Sequence, residues 1–178
     1  KTHQVLNLNS DLMNATELCT LFLMPKHRKP YLGQLLSRAR FLFIKQFADR
    51  FPDQIIAEMR GVSDEKGNSP FWKHICQNFI GTSFAEADYL RGCGNKQFIT
   101  DLIPQTAIYT CLLPQVAQKV IGQVHQNTIP AKILLEREGF KFKEYIDLFD
   151  AGPTLHASIN SIKTCQNIKT KSINLNHT

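Results

Sequence analysis

The spacing of apolar residues along the chain changes period several times, and each change marks an element. Glu17 to Met24, E-L-C-T-L-F-L-M, is an almost continuous apolar run of strand length that predicts a strand buried on both faces, stopped by Pro25. From Leu32 to Phe51 the period becomes helical. Leu32, Leu35, Leu36, Ala39, Phe43, Phe47 and Phe51 recur on one side, with Arg38, Lys45 and Asp49 elsewhere on the wheel, so a long amphipathic helix is expected, ended by Pro52. Gln54 to Gly61 then alternates, with Ile55, Ala57 and Met59 on one face and Ile56, Glu58 and Arg60 on the other. This is a strand, helix, strand unit, most simply right-handed and parallel.

Beyond it, Val62 to Ser69 is a polar loop, and Ser69-Pro70 supplies an N-cap and first helical residue for a helix through Phe79. A short helix over Asn95 to Leu102, a strand over Ile108 to Leu113 and a helix from Pro114 through Ile121 follow. Thr128 to Glu138 reads as a further helix, capped by Thr128, with Pro130 in its first turn and Gly139 placed to stop it. Lys141 to Phe149 alternates again, Phe142, Glu144, Ile146 and Leu148 opposing Lys143, Tyr145, Asp147 and Phe149. The pattern is α/β around one central sheet.

Composition narrows the class. The 178 residues are 43% hydrophobic and 20% charged, enough for one sizeable core and one domain. The longest apolar runs, Leu21 to Met24 and Ile129 to Leu135, are far short of a membrane span, and no secretory signal pattern opens the chain. A soluble cytoplasmic protein without membrane partners is the expectation. The chain opens on Lys1 rather than Met, which reads as processing or as a piece of something longer. Cys19, Cys76, Cys93, Cys111 and Cys165 lack C-x-x-C spacing and read as reduced, mostly buried thiols. The six histidines are dispersed, so no metal site is expected. The net charge of +6 owes half its excess to Lys163, Lys169 and Lys171, which lie beyond the last acidic residue, Asp150. That is a solvated polar tail rather than a nucleic-acid arm, and no basic-aromatic surface for stacking bases is visible, so nucleic acid is not expected as a partner. The mildly basic body suits an anionic co-substrate.

The turn H-R-K-P-Y-L-G-Q-L-L, His27 to Leu36, lies between the first strand and the long helix. Backbone N–H groups at a helix start attract anions, and Lys26, His27, Arg28 and Lys29 add positive charge, so a diphosphate would fit. An ordinary strand-to-helix turn with solvated charges would look the same.

The flanking motifs are more specific. E-L-C-T-L-F-L-x-P-x-x-R, L-L-S-R-A-R-F-L-F, I-A-E-M-R-G-V-S-D-E-x-G-x-S-P-F-W, V-I-G-Q-V-H, E-G-F and Y-I-D-L-F-D-A-G-P-T-L together resemble the arginine N-succinyltransferase family, within the acyl-CoA N-acyltransferase superfamily, over about Glu17 to Leu155. The resemblance implies a mixed central sheet flanked by helices, the GNAT fold, incomplete at its N-terminus, over residues 1–155, with 156–178 as a polar basic tail. It implies transfer of succinyl from succinyl-CoA, a co-substrate rather than a permanently bound cofactor, to the α-amino group of L-arginine, with ornithine a further substrate of some relatives.

The superfamily's R/Q-x-x-G-x-G/A pyrophosphate turn falls on Arg28, Tyr31 and Gly33, beside Lys29. A glycine position is thus Tyr31, and Pro30 removes a neighbouring backbone donor. The strand residue Leu21 corresponds to a succinyl-CoA contact, and His125 to the proton donor of acyl transfer. The tyrosine that many superfamily members use falls on Leu135 in one alignment and near Trp72 in another, and the two stay open. Glu58 and Arg60 share a strand face where they would meet the guanidinium and the succinyl carboxylate, or else pair with each other. Trp72 and Phe71 read as core. Relatives of the family are longer at both ends, so an open sheet edge and apolar face are expected, covered by a second copy or by a partner chain that completes the sheet. The alternative function is a catalytically silent remnant serving as a binding or assembly module.

Overall fold

The computed structural model describes residues 2–93, 101–169 and 171. Its strands are β1 Val5–Leu6, β2 Thr16–Glu17, β3 Gln54–Glu58, β4 Ile108–Tyr109, β5 Lys141–Ile146 and β6 Pro153–Ser158. Its α-helices are α1 Leu32–Gln46, α2 Pro70–His74, α3 Cys76–Ile80, α4 Phe84–Gly92, α5 Gln115–Gln118, α6 Ile129–Glu138 and α7 Lys163–Asn167. The main sheet runs β2-β3-β6-β5 and is mixed: β2 is parallel to β3, and the other pairs are antiparallel. β1 and β4 form a separate antiparallel ribbon.

The alternation of β3 does what the sequence requires. Ile55, Ala57 and Met59 enter a core with Phe41 and Ile44 of α1, Leu135 of α6, Phe140, Leu155, Ile162 and Cys165. Leu155 and Ala157 lie opposite Ala57 and Ile55 in the β3–β6 register, so both strands load the same face. A second core gathers α2, α3 and α4 around Phe149 and Ala151, with Trp72 stacked on Phe149 at 5.2 Å between ring centroids and Phe84 set edge-on to both. Ser69 is buried and its hydroxyl accepts from the Trp72 amide, the cap expected from its position, but the helix it opens breaks at Ile75 into α2 and α3.

The first strand is shorter than its apolar run. Pairing ends at Leu18, whose N–H reaches the Ile56 carbonyl, and Thr20 then adopts φ 52°, which turns the chain out of extended conformation. Leu21, Phe22 and Met24 are exposed rather than buried on two faces. The long helix forms, but its apolar stripe does not face the core. Ser37, Phe41 and Ile44 are buried, whereas Leu35 is 63% and Phe43 53% exposed. The roll of α1 is set by α7 and by the end of α6, through Arg38 to Glu138 and Cys165 Sγ to the Phe41 carbonyl.

Other expectations are corrected more locally. The helix expected at Asn95 to Leu102 lies, up to residue 100, outside the described residues. The strand from Ile108 gives way to a 3-10 turn at Thr110–Leu112, and the helix after Pro114 stops at Gln118. β5 ends at Ile146, and an irregularity between Phe142 and Ile146, with Glu144 at φ 64°, breaks the strict alternation. Past residue 155, β6 continues to Ser158, and Ile159, Ile162 and Cys165 are buried, so apolar residues spaced along the polar stretch anchor its first part to the core. Cys76 and Cys165 are buried, while Cys19, Cys93 and Cys111 are exposed. Among the described residues no helix is long and apolar enough to cross a membrane.

Candidate functional site

The turn before α1 is built from tight local bonds. The Arg28 Nε–H donates to the Leu23 carbonyl at 3.1 Å and the Lys29 amide to the His27 carbonyl at 2.8 Å, which folds the basic segment back on itself. Tyr31 is the N-cap of α1 in the left-handed region, φ 69°, its ring 81% exposed and offering the helix no side-chain cap. The bulk that the sequence places at a glycine position is therefore turned to solvent. A Cβ at Gly33 would meet nothing within 4 Å, and the first turn of α1 holds no acidic residue. The first N–H of α1, that of Leu32, donates to the Lys29 carbonyl at 3.3 Å, and the helix start is the positive end of its dipole, beside Lys29 and Arg28.

A second arrangement lies at the end of β3. Past Glu58, the Met59 amide still pairs with the Pro153 carbonyl, and Gly61 then bridges Val124. Arg60 is exposed and its guanidinium donates to Ser63 Oγ at 2.8 Å. Its backbone carbonyl accepts from the amide of His125 at 2.9 Å. His125 is half-buried and caps the short turn Gln126–Thr128: its Nδ1 accepts from the Asn127 amide at 3.2 Å. An acceptor Nδ1 leaves the neutral ring's proton on Nε2, so the imidazole presents one N–H donor. Thr128, expected to cap α6, makes no side-chain cap; the histidine has taken the capping role one turn earlier.

Below this point the surface opens into a cleft of about 260 Å³ lined by Glu17, Glu58, Arg60, Asp88, Asp147, Phe149 and Asp150 among others. A larger cavity of about 390 Å³ adjoins it, sharing Glu58, Asp147 and Phe149 and walled by Leu6, Leu8, Phe71 and Ile75. The ensemble is an acidic mouth on an apolar chamber, chemistry that suits a cation with an aliphatic stem. Cys76 lines the chamber, but burial, then the Asp147 charge, pushes its thiol up to about 12, and its Sγ is held by the Leu148 carbonyl at 3.1 Å, so it is an inert thiol rather than a nucleophile. Asp150 is buried, its carboxylate accepting from Gly61 and Gly152; burial and Asp147 raise its pKa.

The structure sets the His125 backbone against Arg60 at the end of β3, two residues past Glu58, while neither cavity is lined by His125, Leu21, Arg28, Lys29 or Gly33. Asp147 and Asp150 line the cleft without being singled out by the sequence pattern, although both sit in the motif Y-I-D-L-F-D-A-G-P-T-L; a pair of Asp residues flanking a turn before a glycine is the signal that marks them.

Comparison with known proteins identifies the family. Residues 1–164 match the family described as arginine N-succinyltransferase beta subunit. An arginine N-succinyltransferase of Escherichia coli O1:K1 / APEC is 51% identical over 156 residues, 88% of this chain and 45% of that protein. An arginine N-succinyltransferase subunit beta of Pseudomonas aeruginosa is likewise 51% identical over 156 residues, covering 88% and 46%. An arginine N-succinyltransferase of Photorhabdus laumondii is 49% identical over 173 residues, covering 97% and 50%. The solved arginine/ornithine succinyltransferase subunit AI of Pseudomonas aeruginosa superposes with a TM-score of 0.70 and 35% identity, over 84% of this chain and 42% of that one. The chain spans about half the length of the curated relatives it matches. With its match to the family extending over most of its length, the chain belongs to the arginine N-succinyltransferase beta subunit family.

Proposed function

We propose that this chain carries the acyl-transfer site of an arginine N-succinyltransferase of the acyl-CoA N-acyltransferase type, acting in the cytoplasm on succinyl-CoA and L-arginine. The observation that carries the reading is the family match over residues 1–164, which includes the turn, the end of β3 and His125. The acidic cleft supports a cationic amino acid as acceptor, and L-ornithine is a second acceptor to test, since the structural neighbour is an arginine/ornithine succinyltransferase subunit.

In this reading the amine nitrogen attacks the thioester carbonyl carbon, a C–N bond forms, and the C–S bond breaks without an enzyme-bound acyl group. The proton lost by the amine balances the one gained by the departing thiolate. His125, whose one ring donor is Nε2–H, is the residue we assign to the departing sulfur. The α1 start, with Arg28, Lys29 and Gly33, holds the CoA pyrophosphate on backbone N–H groups, and Leu21 flanks the pantetheine. Glu58 meets the guanidinium and Arg60 the succinyl carboxylate. The exposed Leu21, Phe22 and Met24 and the exposed stripe of α1 are covered by a second chain that extends the sheet at β2.

The test is calorimetric titration of the folded chain with succinyl-CoA, with and without L-arginine, and an assay for CoA thiol in the same samples. Binding with arginine-dependent thiol release is expected. Binding that never leads to release, with the other half of a full-length relative also supplied, would replace the enzyme reading by that of an assembly module.

A further inference from the structure

We propose that Asp150 is a positioning residue for His125, holding the histidine's backbone and ring through the end of β3; the inference rests on the role assigned to His125 above. The carboxylate is 8% exposed and accepts two backbone bonds, from Gly61 at 2.7 Å through Oδ2 and from Gly152 at 2.9 Å through Oδ1. Gly61 is the next residue after Arg60, whose carbonyl accepts the His125 amide at 2.9 Å, and Gly61 itself bridges Val124. At the other end of the same segment, the Gly122 amide donates to the carbonyl of Ala151, the residue after Asp150, at 2.9 Å. The segment 122–125 is thus gripped at both ends, and both grips lead to Asp150.

The crossing leaves no other way to satisfy these groups. A Cβ at Gly61 would lie 2.4 Å from the Asp150 carbonyl, and one at Gly152 would lie 1.9 Å from the Met59 carbonyl, so β3 and the turn before β6 touch backbone to backbone. Two buried N–H groups at such a contact need an acceptor that occupies almost no space, and one carboxylate with an oxygen for each supplies it. Asn offers one acceptor and one donor, so it satisfies one glycine and repels the other. Loss of the Oδ2 bond frees Gly61, then the Arg60 carbonyl and the His125 amide, loss of the Oδ1 bond frees Gly152 beside the Ala151 carbonyl that holds Gly122, and either way the Asn127-to-Nδ1 bond that fixes the tautomer loses its fixed frame.

The experiment is ¹⁵N NMR of the His125 imidazole in the wild-type chain and in Asp150→Asn, with circular dichroism to show that both are folded. Expected are wild-type shifts of a single Nε2–H tautomer and, in the variant, ring shifts moved toward the tautomeric average, together with altered amide shifts at Gly61 and His125. A folded Asp150→Asn with the wild-type His125 ring shifts overturns the proposal. Should the variant not fold, amide exchange in the wild-type chain decides: Gly61, Gly152 and His125 exchange as one cooperative unit if Asp150 couples them, and independent opening of His125 overturns it. In the catalytic assay, Asp150→Asn lowers kcat about tenfold or more with an unchanged KM for succinyl-CoA. The ring shifts need no turnover, so an inactive chain would count against the proposed function without touching this coupling.

Discussion

Arg38 and Glu138 stand 100 residues apart in the chain and 2.8 Å apart in the structure, Nε to Oε1, and the second oxygen of the same carboxylate accepts from the Thr164 amide at 2.9 Å. One buried carboxylate thereby ties α1, α6 and α7 together. Burial alone would push Glu138 up, but the bonds from Arg38 and Thr164 outweigh it and hold the carboxyl below its ordinary value. A carboxylate whose folded pKa is depressed adds stability above its unfolded pKa of about 4.3, and that stability is lost as pH falls through the lower folded value. Glu138→Ala should cost about 2 kcal/mol at neutral pH and Glu138→Gln about 1 kcal/mol. In urea melts the gap between wild type and either variant should narrow as pH drops below about 4, and a gap independent of pH would contradict the assignment.

The Nδ1 of His125 is committed to the Asn127 amide, so only the Nε2 side of the ring is available to substrate. Replacement by Ala should lower kcat by about 10²-fold or more while leaving the KM for succinyl-CoA nearly unchanged, because the ring is assigned to the reacting sulfur and not to the bound nucleotide. Steady-state kinetics on a chain assembled with whatever completes it would check this. A variant with wild-type turnover would remove His125 from the chemistry.

Parts of this fold are legible in the sequence because local signals and tertiary demands agree there. The alternation of Ile55, Ala57 and Met59 is satisfied by one core, and Gly139 stops α6 in the left-handed region at φ 107°. Legibility fails where a residue's surroundings come from far along the chain. Nothing near Leu35 or Phe43 reveals that α7 and Glu138 roll α1 so that Phe41 and Ile44 are buried in their place. β6 has no clear signature because Pro153 to Ser158 carries His and Ser among its apolar residues, although as an inner strand it is buried over most of its length. At the site, a motif points to His125, whereas Asp150 acts through backbone groups at Gly61 and Gly152, which no side-chain pattern announces.

Those two glycines allow a sharper test of the crossing. A methyl group at position 152 would start 1.9 Å from the Met59 carbonyl and 2.6 Å from the Gly61 nitrogen, both backbone atoms that belong to paired strand ends. Neither can retreat without breaking the Met59-to-Pro153 bond or the Gly61-to-Asp150 bond. Gly152→Ala should therefore destabilise the fold by about 3 kcal/mol or more, beyond the usual range for a single added carbon. Gly33→Ala serves as the control, since its Cβ would meet nothing within 4 Å and Ala is the better helix former, by less than the roughly 1 kcal/mol of a helix interior because Gly33 lies in the first turn. Chemical denaturation of the two variants should move in opposite directions.

The exposed stripe of α1 makes a prediction about assembly. Leu35, Leu36, Leu42 and Phe43 are exposed on one helix, near in sequence to the exposed Leu21, Phe22 and Met24 that continue from the edge strand β2. A helix this apolar on its solvent side, after an unpaired edge, behaves as an uncovered interface. Leu35 is mostly solvated in the single chain, whereas the half-exposed Phe43 packs its ring on Phe47 and Phe51, so replacement by Ser should change the unfolding free energy by about 0.5 kcal/mol at Leu35 and by about 1 kcal/mol at Phe43. The same replacements should abolish concentration-dependent association of the chain, measured by sedimentation velocity, and weaken any complex with the remaining half of a full-length relative. Large destabilisation of the single chain would show that the stripe is internal after all, and undiminished association would place the interface elsewhere.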